Sequence, residues 1–148
     1  MLPRTVVLGE KPQAAQWLRS LIASGRFVIV AGVPGFRERR WWGEDEFAAI
    51  LQEHRIPVVR REELRICAYD ILLSFLYPFI IEAEHIEGAQ WYCLNLHEAP
   101  LPQYRGCNGC SHAILDGARS YGTTLHVLAP ELDAGDIVDQ ECFSTLSE

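Results

Sequence analysis

The apolar positions of the chain fall into short blocks whose period changes along its length. Thr5-Val6-Val7-Leu8 is a compact β-branched run ended by Gly9, the pattern of a buried strand. Ala14, Trp17, Leu18, Leu21 and Ile22 then recur at helical spacing, with Gly25 just beyond as a stop signal. Phe27 to Val33 predicts a second strand, ended by Pro34-Gly35. Phe47, Ala48, Ile50 and Leu51 form a second helical stripe. Glu44, Asp45 and Glu46 put negative charge in its first turn, where the helix dipole favours it. Ile56 to Val59, Ile71 to Phe75 and Tyr92 to Leu96 read as third, fourth and fifth strands. His97 to Gly109 is rich in Pro, Gly and polar residues and reads as a loop. Cys110, Ala113 and Ile114 predict a short helix stopped by Gly117. Thr123 to Leu128 predicts a strand, Pro130 to Gly135 a loop, and Ile137 onward a last strand.

Strands that alternate with helices, and that are apolar on both faces, predict an α/β, Rossmann-like fold: a mainly parallel sheet with helices on both faces. Its crossovers are right-handed, and ligands sit outside the carboxyl ends of its strands. The residues that look chemical follow the fifth strand, in keeping with that rule. With no repeat or interdomain linker, residues 1–148 are expected to form a single domain.

Composition narrows the class. The chain has 148 residues, 49% hydrophobic and 22% charged, as in an ordinary soluble domain. No apolar run reaches the ~18 residues of a membrane helix. The longest, Ile71 to Ile81, is broken by Ser74 and Pro78. Met1-Leu2-Pro3-Arg4 lacks the apolar core of a secretory signal, so a cytoplasmic location without membrane contact is expected. The net charge of −7 argues against bulk nucleic-acid binding. Arginines occur in loose groups, Arg37, Arg39 and Arg40, then Arg55, Arg60, Arg61 and Arg65. Such a group can hold one or two phosphates of a small substrate.

An odd count of five cysteines, with no signal sequence, argues against a disulfide framework. Cys107-Asn108-Gly109-Cys110 has the spacing of half a zinc site or of a redox pair. No second such pair follows, and His112 adds too few ligands for a closed site, so no metal is expected. Its bland reading is two small residues beginning a buried helix. His54, His85 and His112 read as surface or helix-end histidines. Trp41-Trp42 reads as core or helix-entry packing, with a stacking or partner surface as the sharper alternative.

Asn95 and His97 stand one residue apart at the end of a strand, so their side chains share a face, ~6–7 Å apart at the backbone. Asp133 lies in a later glycine-containing loop that can fold over them. Taken singly, each has an ordinary structural reading.

Together with their surroundings they carry more. Asn95-Leu96-His97-Glu98-Ala99-Pro100-Leu101-Pro102-Gln103-Tyr104-Arg105-Gly106 resembles the N-x-H…LP-x-Y-R-G signature of formyltetrahydrofolate-dependent formyltransferases. Gly122-Thr123-Thr124-Leu125-His126-Val127 and Glu131-Leu132-Asp133-Ala134-Gly135-Asp136-Ile137 match in the same order. The resemblance covers about residues 70 to 140. It implies N10-formyltetrahydrofolate as donor and Asn95, His97 and Asp133 as catalytic residues, with no metal. Asn95 and His97 would donate to the tetrahedral oxyanion. Asp133 would favour charged His97 and position a proton-carrying water. The segment Leu72 to Ile80, with Leu72, Phe75, Tyr77 and Ile80, would form one wall of the folate pocket. Ala129 to Asp133, with Ala129 and Glu131, would form the other. Thr124 and His126 would support the site and hold a water. Asn108 would touch the acceptor, and Arg105 would either bind an acceptor phosphate or brace the loop.

The acceptor is implied less directly. The turn Gly9-Glu10-Lys11-Pro12-Gln13 has one glycine and is a poor cradle for a ribonucleotide phosphate. The wording of residues 99–108 looks closest to enzymes that formylate nucleotide-linked amino sugars. Alternatives are a formyltetrahydrofolate hydrolase, a methionyl-tRNA or glycinamide-ribonucleotide formyltransferase, a peptide-synthetase or siderophore amine, and a non-catalytic folate- or nucleotide-binding remnant. Catalytic domains of the family run several tens of residues past the last motif, so a C-terminally short domain is expected. A sheet left bare there would expose apolar surface or be covered by a partner copy in a homo-oligomer.

Overall fold

The structure is a computed structural model that describes residues 1–35 and 43–145. Arg37, Arg39, Arg40 and the Trp41-Trp42 pair lie outside the described residues. The chain separates into two compact units, Met1–Cys93 and Leu94–Glu148.

In the first unit, β1 (Arg4–Gly9) is the middle strand. β2 (Val28–Pro34) and β3 (Tyr69–Phe75) pair with it on either side, both parallel. Val7 lies opposite Gly32 on one side and Leu73 on the other. α1 (Pro12–Ala23) opens on a proline, whose missing N–H costs nothing in a first turn. α2 (Glu46–Glu53) is capped by Asp45, whose carboxylate accepts from the Ala48 N–H at 3.0 Å. The apolar stripes read from the sequence face the sheet. Val6, Val7 and Leu8 are fully buried, as are Leu18 of α1 and Phe47 and Leu51 of α2. Each such side chain stabilises the fold by roughly 1.5–3 kcal/mol on transfer from water. Gly32 lets α2 approach closely, because a Cβ there would run into the Leu51 side chain.

The expected third strand is not formed. Of Ile56 to Val59 only Val58 bridges to Gly32. Pro57 has no N–H to continue a ladder, and the chain tightens into a 3-10 helix over Arg61–Ile66. The short helix α3 (Ala83–Glu87) was not foreseen. It carries His85 in its last turn, a helix-end histidine that is 2% exposed and so not on the surface. The Tyr69 hydroxyl donates to the His85 carbonyl at 2.8 Å, and His85 Nδ1 lies 3.0 Å from Glu82 Oε2.

β4 (Ala89–His97) runs from the first unit into the second. There its last residues pair antiparallel with β5 (Ser120–Val127), which pairs antiparallel with β6 (Ile137–Ser144). The connection from β5 to β6 is too short for the crossover of about a dozen residues that parallel strands need. α4 (Gly109–Leu115) ends at Asp116, followed by Gly117 at φ +62°. Ala99, Ala113 and Tyr121 form a small core, with Tyr104 and Ala118 against it. Every residue of β6 is exposed, against the expectation of strands buried on both faces. The architecture is α/β and Rossmann-like. Among the described residues no helix is long and apolar enough to cross a membrane.

Candidate active site

The register of β4 against β5 assembles the site. Asn95 lies opposite His126, and His97 opposite Thr124. Directly opposed side chains on one face of an antiparallel pair lie within reach of each other. Asn95 Nδ2 is 3.2 Å from His126 Nε2, and the His97 and His126 rings meet edge to face at 6.3 Å. The loop after β5 returns Asp133 to both rings. Its Oδ2 lies 3.7 Å from His97 Nδ1 and its Oδ1 lies 3.7 Å from His126 Nε2. The three residues predicted to be catalytic therefore share one cluster within the second unit, and His126 joins it.

Hydrogen bonds fix how these groups face. His97 Nε2 is 3.0 Å from the Tyr104 carbonyl, which can only accept, so Nε2 carries the proton. Nδ1 is then the exchangeable position of the ring, and it faces Asp133. The carboxylate is held in turn by the Gly106 N–H, which donates to Oδ2 at 2.8 Å. Gly106, at φ +81°, turns that N–H toward the carboxylate in a conformation that glycine adopts without strain. Tyr104, Asn108 and Asp133 also have positive φ. Non-glycine residues take up such strain where the surroundings enforce it, commonly at functional loops.

His126 is fully buried. Its Nδ1–H donates to the Val127 carbonyl at 2.9 Å, so neutral Nε2 accepts from the Asn95 amide. Burial pulls His126 below the ordinary histidine range, against the Val127 bond and the Asp133 charge, which push the other way. The sign for stability follows. Below about pH 6.5 the unfolded chain takes up this proton while the folded chain still refuses it. Stability is thus complete above that pH and falls as the pH drops toward the lower folded value. Urea midpoints of the wild type should fall more steeply with acidification than those of His126→Gln; parallel slopes would remove the assignment.

The Thr124 hydroxyl is bonded to three protein groups. Buried, it donates to the Ala99 carbonyl at 2.7 Å and accepts from the Leu101 N–H at 3.0 Å and from Gln140 Nε2 at 2.8 Å. It fastens the 99–101 segment to β5. Thr124→Val keeps the shape and orphans the Leu101 N–H, so we expect a loss of about 2–3 kcal/mol in thermal unfolding.

The remaining predicted residues are more dispersed. Arg105 and Asn108 are exposed, and Arg105 Nη1 lies 3.5 Å from Glu131 Oε1, an exposed pair of small energetic weight. Ala129 is half-buried. In the first unit Leu72 has no exposure and belongs to the core, so its side chain is out of reach of a ligand. Phe75 is half-buried with its ring against Trp17, and Ile80 is exposed. Tyr77 lines a cleft of about 240 Å³ with Val33, Pro34, Arg60, Arg61, Glu62 and Phe79. Arg61 donates to the Ile80 carbonyl at 3.1 Å and pairs with Glu82 at 3.1 Å. Cys107 and Cys110 are both exposed, so the pair does not begin a buried helix; the buried residues of α4 are Gly109 and Ala113. Among the described residues no group of three or more His, Cys, Asp or Glu side chains could hold a metal ion.

An amide, two imidazoles and a carboxylate thus meet around one strand end. The chain belongs to the formyl transferase family, whose pattern matches residues 52–147. It is 33% identical over 98 residues to the methionyl-tRNA formyltransferase of Halalkalibacterium halodurans, covering 60% of this chain and 31% of that protein. The chain thus spans about a third of that relative's length. It superposes on glycinamide ribonucleotide transformylase 1 of Symbiobacterium toebii with a TM-score of 0.82 and 14% identity, over 99% of this chain and 75% of that one. For the N-formyltransferase of Helicobacter canadensis, solved with folinic acid and dTDP-3-aminofucose, the TM-score is 0.78 at 22% identity, over 97% and 53%. At these identities the two structures speak for the fold.

Proposed function

We propose that this chain transfers a formyl group from N10-formyltetrahydrofolate to a primary amine. The observation that carries the reading is the Asp133 carboxylate set between His97 and His126, with the Asn95 amide beside them. The donor supplies a carbonyl whose oxygen gains negative charge when the amine attacks. One hydrogen of the Asn95 amide is committed to His126, and the other is left to face that oxygen. His97 Nδ1 is the ring position that can carry a proton to the same place. Asp133 balances the charge of a protonated His97 and can accept a proton from the incoming amine through a water.

For the acceptor we favour a nucleotide-linked amino sugar. Support comes from Tyr104-Arg105-Gly106-Cys107-Asn108, which places an exposed arginine and asparagine beside the site. It also comes from Glu10, buried at the turn after β1, where a ribonucleotide phosphate would need backbone N–H groups rather than a carboxylate. The net charge of −7 weighs against a tRNA acceptor. A single catalytic domain acting in the cytoplasm belongs to the same reading.

The test is to incubate the protein with N10-formyltetrahydrofolate, with and without amines, and follow tetrahydrofolate. Release that requires an amino sugar nucleotide is the expected result. Release without any amine would replace transfer by hydrolysis. Folate binding with no release under any condition would end the catalytic reading.

A further inference from the structure

The transfer chemistry makes no use of the Cys107 and Cys110 thiols, yet they sit on the segment that clamps its catalytic groups. Both are exposed. Between them lie Asn108, left-handed at φ +61°, and Gly109, the first residue of α4. Gly109 packs on Tyr104: a Cβ there would stand 3.1 Å from Tyr104 Cβ and 3.3 Å from the Tyr104 carbonyl oxygen. That same carbonyl accepts from His97 Nε2, and Gly106, the residue before Cys107, donates to Asp133. The geometry points to Cys107 and Cys110 as a reversible dithiol–disulfide pair whose closure resets the contacts of Tyr104 and Gly106 with His97 and Asp133. The effect on turnover rests on the formyl-transfer reading above; the disulfide itself does not.

Two intervening residues are the spacing of redox-active cysteine pairs, and the exposure of both residues gives a small oxidant access to them. A low-molecular-weight disulfide such as oxidised glutathione serves as that oxidant. One protein thiolate attacks it, forming a mixed disulfide and releasing one glutathione thiolate. The second protein thiolate displaces the other. Two electrons pass from the cysteines to glutathione, and the two thiol protons go to the released thiolates. The new S–S bond draws Cys107 toward the first turn of α4 and turns the backbone at Gly106 to Asn108. The Gly106 N–H then leaves Asp133, and the packing of Gly109 on Tyr104 shifts.

The full chain, reduced and then treated with oxidised glutathione, provides the test. Alkylation and mass analysis should show two thiols lost to a bridge within residues 107–110, restored by dithiothreitol. The imidazole NMR signals of His97 should shift on oxidation. Transfer should fall about tenfold, the scale of one hydrogen bond to a charged group. Cys107→Ser and Cys110→Ser should show none of these changes. Two separate glutathione adducts would overturn the proposal. So would a bridge to Cys142, the exposed cysteine of β6, or a bridged protein whose His97 signals match the reduced form. Absence of transfer in both forms would count against the formyl-transfer reading alone, because mass and NMR decide the disulfide without it.

Discussion

On the formyl-transfer reading proposed above, His97→Ala should lower turnover by about a thousandfold or more and leave the fold in place. The ring stands at the end of β4, 9% exposed, with Nε2 on the Tyr104 carbonyl and Nδ1 toward Asp133. On that reading its removal takes away the ring nitrogen proposed to carry a proton at the reacting carbonyl. The same imidazole nitrogen stands 3.7 Å from the Asp133 carboxylate and is lost to it as well. The ring stands at a strand end and makes one hydrogen bond to the Tyr104 carbonyl, so the stability loss should stay within about 1–3 kcal/mol. Single-turnover transfer with a thermal melt on the same sample separates the two effects. Normal turnover in a folded His97→Ala protein would remove the ring from the mechanism.

Gly135→Ala should lower stability by about 2–4 kcal/mol. A Cβ at Gly135 would strike the Val127 carbonyl oxygen. That oxygen accepts from His126 Nδ1, and the Val127 N–H donates to the Asp136 carbonyl at 2.9 Å. One added methyl therefore pushes apart β5 and the loop that carries Asp133, and frees the His126 tautomer. Urea denaturation should show a lower midpoint with an unchanged slope. A wild-type midpoint would mean that the loop has room the packing does not show.

The sequence disclosed the parts of this molecule with strong periodicity or strong wording. The stripe from Ala14 to Ile22 became α1, and the β-branched run Thr5 to Leu8 became β1. Asn95, His97 and Asp133 meet as the motif order implied. Short, polar elements were not legible. Arg61–Ile66 buries only Leu64, and α3 has five residues, too few for a period. His85 looks like a surface residue because its burial comes from distant neighbours such as Tyr69. The hold of His126 on Asn95 depends on strand register, which a one-residue slip would have destroyed.

Asp133 is left-handed, at φ +49°. Among residues with a side chain, aspartate and asparagine tolerate that hand best. Asparagine in its place would keep the curl of the loop and could still accept from the Gly106 N–H while lacking the negative charge. Alanine would lose charge and curl together. Position 133 is therefore where the electrostatic and the architectural duties of one residue can be read apart, by a single choice of amide over methyl.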